Sequence, residues 1–467
     1  MKKRWKLSLL LISIISVSVF FRSQLLHWAI AHNVLSTNNI SLLAKIDKNE
    51  FNKIQYHYNV IGSPPWFTAA QYLAKSNADI ALSLAYYYLS IAQHRNAMLW
   101  FKQAFEQGNA LAAKPLARYY LNNEQMYHAL SIAKSEADHF WAQAMKVNIA
   151  ISEGEIAEIT HLVDKLKLST QGGLLVNELQ KYQIIPSATS MVTSFPPSCL
   201  SIQVFATTLD DLKKSSELIQ EVKGTVVGRH FCFSTPRYIS KKALACHYDS
   251  NSAIRCDEAS WHPYLNSITT RYLGVMLPKG GANVHEGILY LDSNDDVNVF
   301  KHELLHLAGF IDEYPLPRDH PFCNSVGKKS SSHNIVVLEA SYKGLRQYVR
   351  QKVLKQIPWA KLIKPTTPIL SKVNSGWKVE TPSSFENTIG LFPAKTCANS
   401  RYISVKPLIK QTTLTYNELP LPPLYQDFLS MKGEQFRMPS FHYNIALALE
   451  KSGKTLNAQQ WFDKVIY

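Results

Sequence analysis

Cysteine is absent from the first 198 residues of this 467-residue chain, and the six that follow include no CxxC pair. The missing pair argues against a structural cysteine–zinc site. There is no long biased tract of the kind that keeps a chain disordered. Although the net charge is +15, no dense basic run interleaved with aromatics is present, so nucleic acid is not an implied partner. No apolar run reaches the ~20 residues of a full membrane span. The surplus positive charge suits a solvated lysine-rich surface, or attraction to anionic envelope lipids, polysaccharides or acidic peptides.

What is present begins at the N-terminus. Lys2, Lys3, Arg4 and Lys6 precede an apolar stretch from Leu7 to Phe21. That is the layout of a secretory signal or a signal anchor, and it sends the rest of the chain across a membrane. Kept as an anchor, segment 1–24 leaves the protein on the periplasmic face of the inner membrane; cleaved, it leaves a periplasmic or secreted protein. An even number of cysteines in an exported chain suggests disulfides. Local order pairs them as Cys199–Cys232, Cys246–Cys256 and Cys323–Cys397.

A chain of this length predicts a multidomain protein. Residues 25–183 read as an α-helical repeat region. Within it Ala81, Leu84, Ala85 and Tyr88 recur as Ala113, Leu116, Ala117 and Tyr120, and Ala97 recurs as Ala129. Each set has the i, i+3, i+4, i+7 spacing of one helical face. Small alanines alternating with aromatics let antiparallel helices pack closely, as in a solenoid. The run Ala97-Met98-Leu99-Trp100-Phe101 through Gly108 resembles the second helix of tetratricopeptide or Sel1-like repeats. That resemblance implies a surface for a protein partner. Residues 431–467 repeat the spacing with Ile445, Ala446, Leu449, Ala458, Trp461 and Phe462, which predicts a helical hairpin packed back onto the N-terminal helices.

Residues 184–197 read as a linker, and 198–430 as an α/β (α+β) domain with a mixed sheet and a metal-binding helix. Strands are expected at 201–207, 224–233, 271–277 and 284–291, with a helix at 209–222. Asp295 and Asp296 stand where they cap a helix running through His306.

That helix carries the chemistry. His302 and His306 at i, i+4 share a face, so both imidazoles can meet one metal ion. Glu303 is turned about 100° away, beside an open coordination position rather than among the ligands. Gly309 ends the helix and turns the chain back, and Asp312 follows three residues later. The whole reads HExxHxxGxxD and resembles the zincin metallopeptidases of the metzincin type, with aspartate in place of the third histidine. The resemblance implies a Zn2+ site formed by His302, His306 and Asp312, with Glu303 as general base. The ending Gly309-Phe310-Ile311-Asp312-Glu313-Tyr314 is also similar to that of the IgA-peptidase-type zinc peptidases. Pro358-Trp359-Ala360-Lys361-Leu362-Ile363 and Gly390-Leu391-Phe392-Pro393 resemble further motifs of that family. In this chain Leu305 replaces a glycine frequent there, and one residue fewer precedes Asp-Glu-Tyr.

Glu313 and Glu339 stand as alternative third ligands, with His320 a further possibility. Met431 or Met438 could form a methionine turn below the metal, and Tyr314 could stabilise an oxyanion. His285-Glu286 is a superficial echo of the motif without its second histidine. By the zincin resemblance the strand 284–291 is the cleft edge that pairs with an extended peptide or protein substrate. Two other readings stay open: an envelope scaffold or binding protein with a vestigial zincin domain, and a zinc amidase acting on a cell-envelope amide.

Overall fold

Alanines at helical spacing decide the first part of the fold in the computed structural model of the chain. The structure describes residues 44–45, 47–123, 125–187, 195–196, 198–247, 253–326, 332–374, 376–431 and 434–467. The N-terminal basic and apolar segment lies outside them. Among the described residues no helix is long and apolar enough to cross a membrane. Packing divides the chain between Lys146 and Val147 into two compact units. The division is upstream of the stretch 184–197, most of which lies outside the described residues.

The first unit is helical: α1 (Lys48–Tyr58), α2 (Pro64–Leu73), α3 (Ala78–Ser90), α4 (His94–Glu106), α5 (Ala113–Asn122) and α6 (Met126–Ser135). Asn77 caps α3 by accepting from the amides of Asp79 and Ile80. Ala81, Leu84 and Ala85 of α3 face Ala97, Phe101 and Ala104 of α4, and all six are fully buried. Close approach at the alanines leaves room for Phe101, which meets Tyr86 edge-on at 5.1 Å. Ala113, Leu116 and Ala117 are buried in the same way on α5. Tyr120 departs from Tyr88: it is only half-buried, and stacks on His128 at 5.1 Å.

The second unit includes helices Ile156–Leu166 and Thr170–Lys181, which precede a mixed sheet. Its members are β1 (Leu200–Ala206), β2 (Phe231–Phe233), β3 (Arg237–Tyr238), β6 (Tyr272–Leu277), β7 (Asn283–His285) and β8 (Ile288–Asp292), in the order β2-β1-β6-β8-β7 with β3 also on β1. Cys246–His247 and Arg255–Cys256 form the small ribbon β4–β5. All pairings in the main sheet are parallel except β7 with β8. Every residue of β1, β6 and β8 is buried, as parallel strands covered on both faces require.

Alternation assigns the two faces. Phe205, Leu273, Val275, Leu277, Ile288 and Tyr290 share an apolar core with Trp261 and with the hairpin α10 (Phe441–Lys451) and α11 (Thr455–Phe462). Ile445, Ala446, Leu449, Ala458 and Trp461 bury their stripe there, so the sheet buries the hairpin's apolar face. On the other face lie α7 (Leu209–Lys223) and α8 (Val297–Leu307). Ser215 of α7 donates to the sulfur of Met276, and the Tyr272 hydroxyl donates to the carbonyl of Leu307 at the end of α8.

Two expected strands come out differently. Of 224–233 only Phe231–Phe233 is extended; Gly228 lies so close to the Val222 carbonyl that a Cβ would sit 1.9 Å from it. The stretch 284–291 is two strands joined by a tight turn at Glu286 (φ 44°) and Gly287 (φ 85°), both left-handed. The strand leading into α8 is therefore paired on both sides, and β7 is the sheet edge.

Two smaller sheets complete the unit. β9 (Val336–Leu338), β13 (Phe392–Ala394) and β14 (Ile403–Lys406) pair in the order β13-β14-β9. β10 (Ser341–Tyr342), β11 (Leu370–Val373) and β12 (Gly376–Val379) pair as β10-β12-β11, with α9 (Arg346–Leu354) after β10. The three disulfides are Cys199–Cys232, Cys246–Cys256 and Cys323–Cys397, the pairs that local order suggests. They fit an exported protein folded in an oxidising compartment.

Candidate metal centre

Helix α8 begins at Asp296, whose carboxylate accepts from the amides of Asn298 and Val299. It ends where Gly309 takes φ +96°, with the Phe310 amide reaching back to the Leu305 carbonyl. A side chain at Gly309 would meet more than strain, because a Cβ there would lie 2.1 Å from the carbonyl oxygen of Phe436. The segment around Phe436 thus floors the end of the helix, and the Met438 amide donates to the Leu307 carbonyl.

The turn after Gly309 brings Asp312 to the two histidines. His302 Nε2 lies 3.0 Å from Asp312 Oδ1 and 3.1 Å from His306 Nε2, and His306 Nε2 lies 3.3 Å from Asp312 Oδ1. The outer ring nitrogens fix what these atoms can do. His302 Nδ1 is 2.9 Å from the Thr413 carbonyl, and His306 Nδ1 is 3.1 Å from the Phe310 carbonyl. A carbonyl oxygen only accepts, so both Nδ1 atoms donate, and in the neutral rings both Nε2 atoms present lone pairs. Two imidazole lone pairs and a carboxylate oxygen then converge on one point, which suits a cation. Donor bonds from the far ring nitrogen are how metal-binding histidines are ordinarily oriented. His302, His306 and Asp312 form the one group of three or more such side chains able to hold a metal ion among the described residues.

The electrostatics follow from burial. Burial raises the Glu303 carboxyl, against the pull of the His306 and His302 charges. Burial alone would lower His306, yet the Asp312 carboxylate, its hydrogen bond and the Glu303 charge push it up to about 10. Burial would raise Asp312, but the His306 charge and contact with both imidazoles hold it far below the usual carboxylate range. Tyr314 is hydrogen bonded to Asp312, and desolvation together with that carboxylate raises its hydroxyl strongly. Its ring lies nearly parallel to that of His302 at 6.4 Å.

The loop holding Asp312 is clamped from three directions. Asn334, fully buried, accepts from the Ile311 amide and donates to the Ile311 carbonyl, each at 2.9 Å. Thr396 donates to the Asp312 carbonyl at 2.7 Å, and is followed by the disulfide-bonded Cys397. The Glu313 amide donates to the Leu414 carbonyl, next to the Thr413 that orients His302. The Glu313 side chain points elsewhere: it accepts from Lys406 Nζ, Thr415 Oγ1 and Tyr425 OH. Lys406 and Glu313 are a buried ion pair, so Glu313 serves the scaffold and Asp312 faces the histidines.

The remaining sequence candidates fall outside the cluster. Glu339 is exposed. His320 caps a short helical turn, close enough to Asp312 to feel its charge. Met431 is half-exposed, and the Met438 sulfur accepts from the Gly287 amide. His285 is bonded to Asn444 through its ring and its carbonyl. The two downstream motif echoes meet: buried Trp359 donates its indole N–H to the Gly390 carbonyl at 2.9 Å. Asn334, Thr396, Lys406, Thr413 and Tyr425 were invisible to spacing arguments, since each reaches the site from a distant element. No protein-family model matches the chain, and no curated protein matches it.

Proposed function

We propose that the chain is an exported zinc-dependent peptidase of the zincin kind, with His302, His306 and Asp312 as ligands and Glu303 as general base. The observation that carries this reading is the convergence of three acceptor atoms, from rings locked as Nδ1 donors, beside a buried carboxylate. Zinc held there would polarise a scissile carbonyl and lower the pKa of a water to about 7. Glu303, beside that position, would serve as the base that takes a proton from water and returns it to the leaving amine. An extended peptide adds to the free side of β7, the antiparallel edge beside the metal helix.

In the same reading the helical unit is a stack of tetratricopeptide- or Sel1-like repeats offering a surface to a protein partner, and the N-terminal segment tethers the chain to a membrane. The deciding experiment compares wild type with Glu303→Gln by metal analysis and peptide-library cleavage. We expect the variant to keep its metal and lose roughly 10²–10⁴-fold in turnover. Equal turnover removes Glu303 from the mechanism. A metal-loaded wild type that cleaves no peptide but does cleave a cell-envelope amide moves the protein to the amidases.

A further inference from the structure

Charge is unevenly distributed along the chain. Between Glu339 and Glu380 lie forty residues with nine Lys or Arg and no Asp or Glu. Counting both glutamates, residues 339–380 carry +7 (nine minus two) of the chain's +15. No short run betrays this, because the cations are spaced among apolar residues. Five of them stand on α9, β11 and β12, and the other four in the connections from β10 through α9 to β11.

On that sheet Tyr342 pairs with Trp377 and Trp377 with Lys372, so the three share a face. The Arg346 guanidinium lies over the Trp377 ring at 5.9 Å, and the Lys352 ammonium over the Tyr342 ring at 5.6 Å. Among the described residues only Lys378 of the nine is paired with a carboxylate, that of Glu380. Arg350 is committed to the carbonyls of Thr367 and Lys364. The other seven cations are exposed. Among them stand large apolar side chains in solvent: Leu345 is 82% exposed and Tyr348 65%.

Folded surfaces ordinarily interleave the two signs and keep such side chains few. The combination here selects its partner. A soluble acidic polymer neutralises the cations but leaves Leu345 in water. The surface of an anionic bilayer takes both, with headgroups against the lysines and arginines and the aromatic and apolar tips at the acyl boundary. We propose that residues 339–380 form a peripheral docking face for an anionic phospholipid bilayer. This stands independently of the peptidase reading.

The test is hydrogen exchange, read by mass spectrometry on the full chain. It compares phosphatidylcholine vesicles with vesicles in which phosphatidylglycerol replaces part of that lipid. We expect protection of 343–364 and 372–378 with the anionic vesicles alone, lost on raising salt. Affinity should fall roughly fivefold for each cation neutralised in an Arg346→Gln, Lys352→Gln, Lys372→Gln series, with the thermal midpoint unchanged. Leu345→Ser should weaken vesicle binding several-fold. Absence of lipid-dependent protection in this segment overturns the proposal. So does equal protection by polyglutamate together with vesicle binding indifferent to Leu345→Ser, which assigns the face to an acidic polymer.

Discussion

The helical unit and the α/β unit are stabilised in opposite ways. In the first, Leu84 and Ala85 find Phe101 and Ala97 on the very next helix, and the buried contacts are almost all apolar. In the second, the core joins Phe205 to Trp461, two of the three disulfides tie segments 33 and 74 residues apart, and the candidate centre rests on buried polar groups. Local periodicity suffices to specify the former. The latter depends on satisfying each buried donor and acceptor from far away, so its failures are all-or-none.

Removing the Glu313 charge should expose that contrast most. Glu313→Gln leaves the Lys406 ammonium buried without its partner, at a cost of about 3–5 kcal/mol. It also loosens the turn carrying Asp312. Urea unfolding followed by site-resolved hydrogen exchange should show the loss in residues 147–467 only, with weaker metal binding; equal loss in both units would dissolve the distinction. The converse is Leu84→Ala, which empties a fully buried site in the helical unit. It should cost roughly 3 kcal/mol there and leave metal affinity unchanged. A change in metal affinity would show that the units are energetically coupled.

The effect smallest near neutral pH is a pH dependence. His333 packs against Phe310, Phe428 and Phe436. Burial, with the Arg437 charge, lowers it to about 4 against the ordinary 6.5, although a bond to the Ala308 carbonyl opposes the shift. Between those values the unfolded chain binds a proton that the folded chain refuses. Stability is therefore full above pH 6.5 and declines as pH falls towards 4, by up to about 1.4 kcal/mol per pH unit. His333→Gln should flatten this acid limb in urea midpoints of the α/β unit; an unchanged slope would clear His333 of the effect.

How much of this the sequence disclosed follows the same division. Caps and faces are local, so Asp296, helix α8 and the alanine stripes were legible from spacing. The choice between Asp312 and Glu313 was not, because it is made by Lys406 and Tyr425, distant in sequence from the helix. The hairpin at Glu286-Gly287 escaped notice because a glutamate in a left-handed turn lacks the Asn-Gly or Asp-Gly signature. The basic face escaped because its cations are dispersed in sequence and meet only after folding.

The floor beneath Gly309 has a consequence for the order of assembly. Phe436 blocks any side chain there, Met438 closes onto Leu307, and the Phe441 amide closes onto the Arg271 carbonyl. These pieces are translated long after α8 itself. Until the ribosome has added them, His302 and His306 exist without the full support that aligns them, and Thr396 and Thr413 too arrive well after the helix. Contacts so remote along the chain form slowly. The nascent protein therefore passes through its synthesis without an aligned centre, and acquires one only when its last helices dock on the sheet.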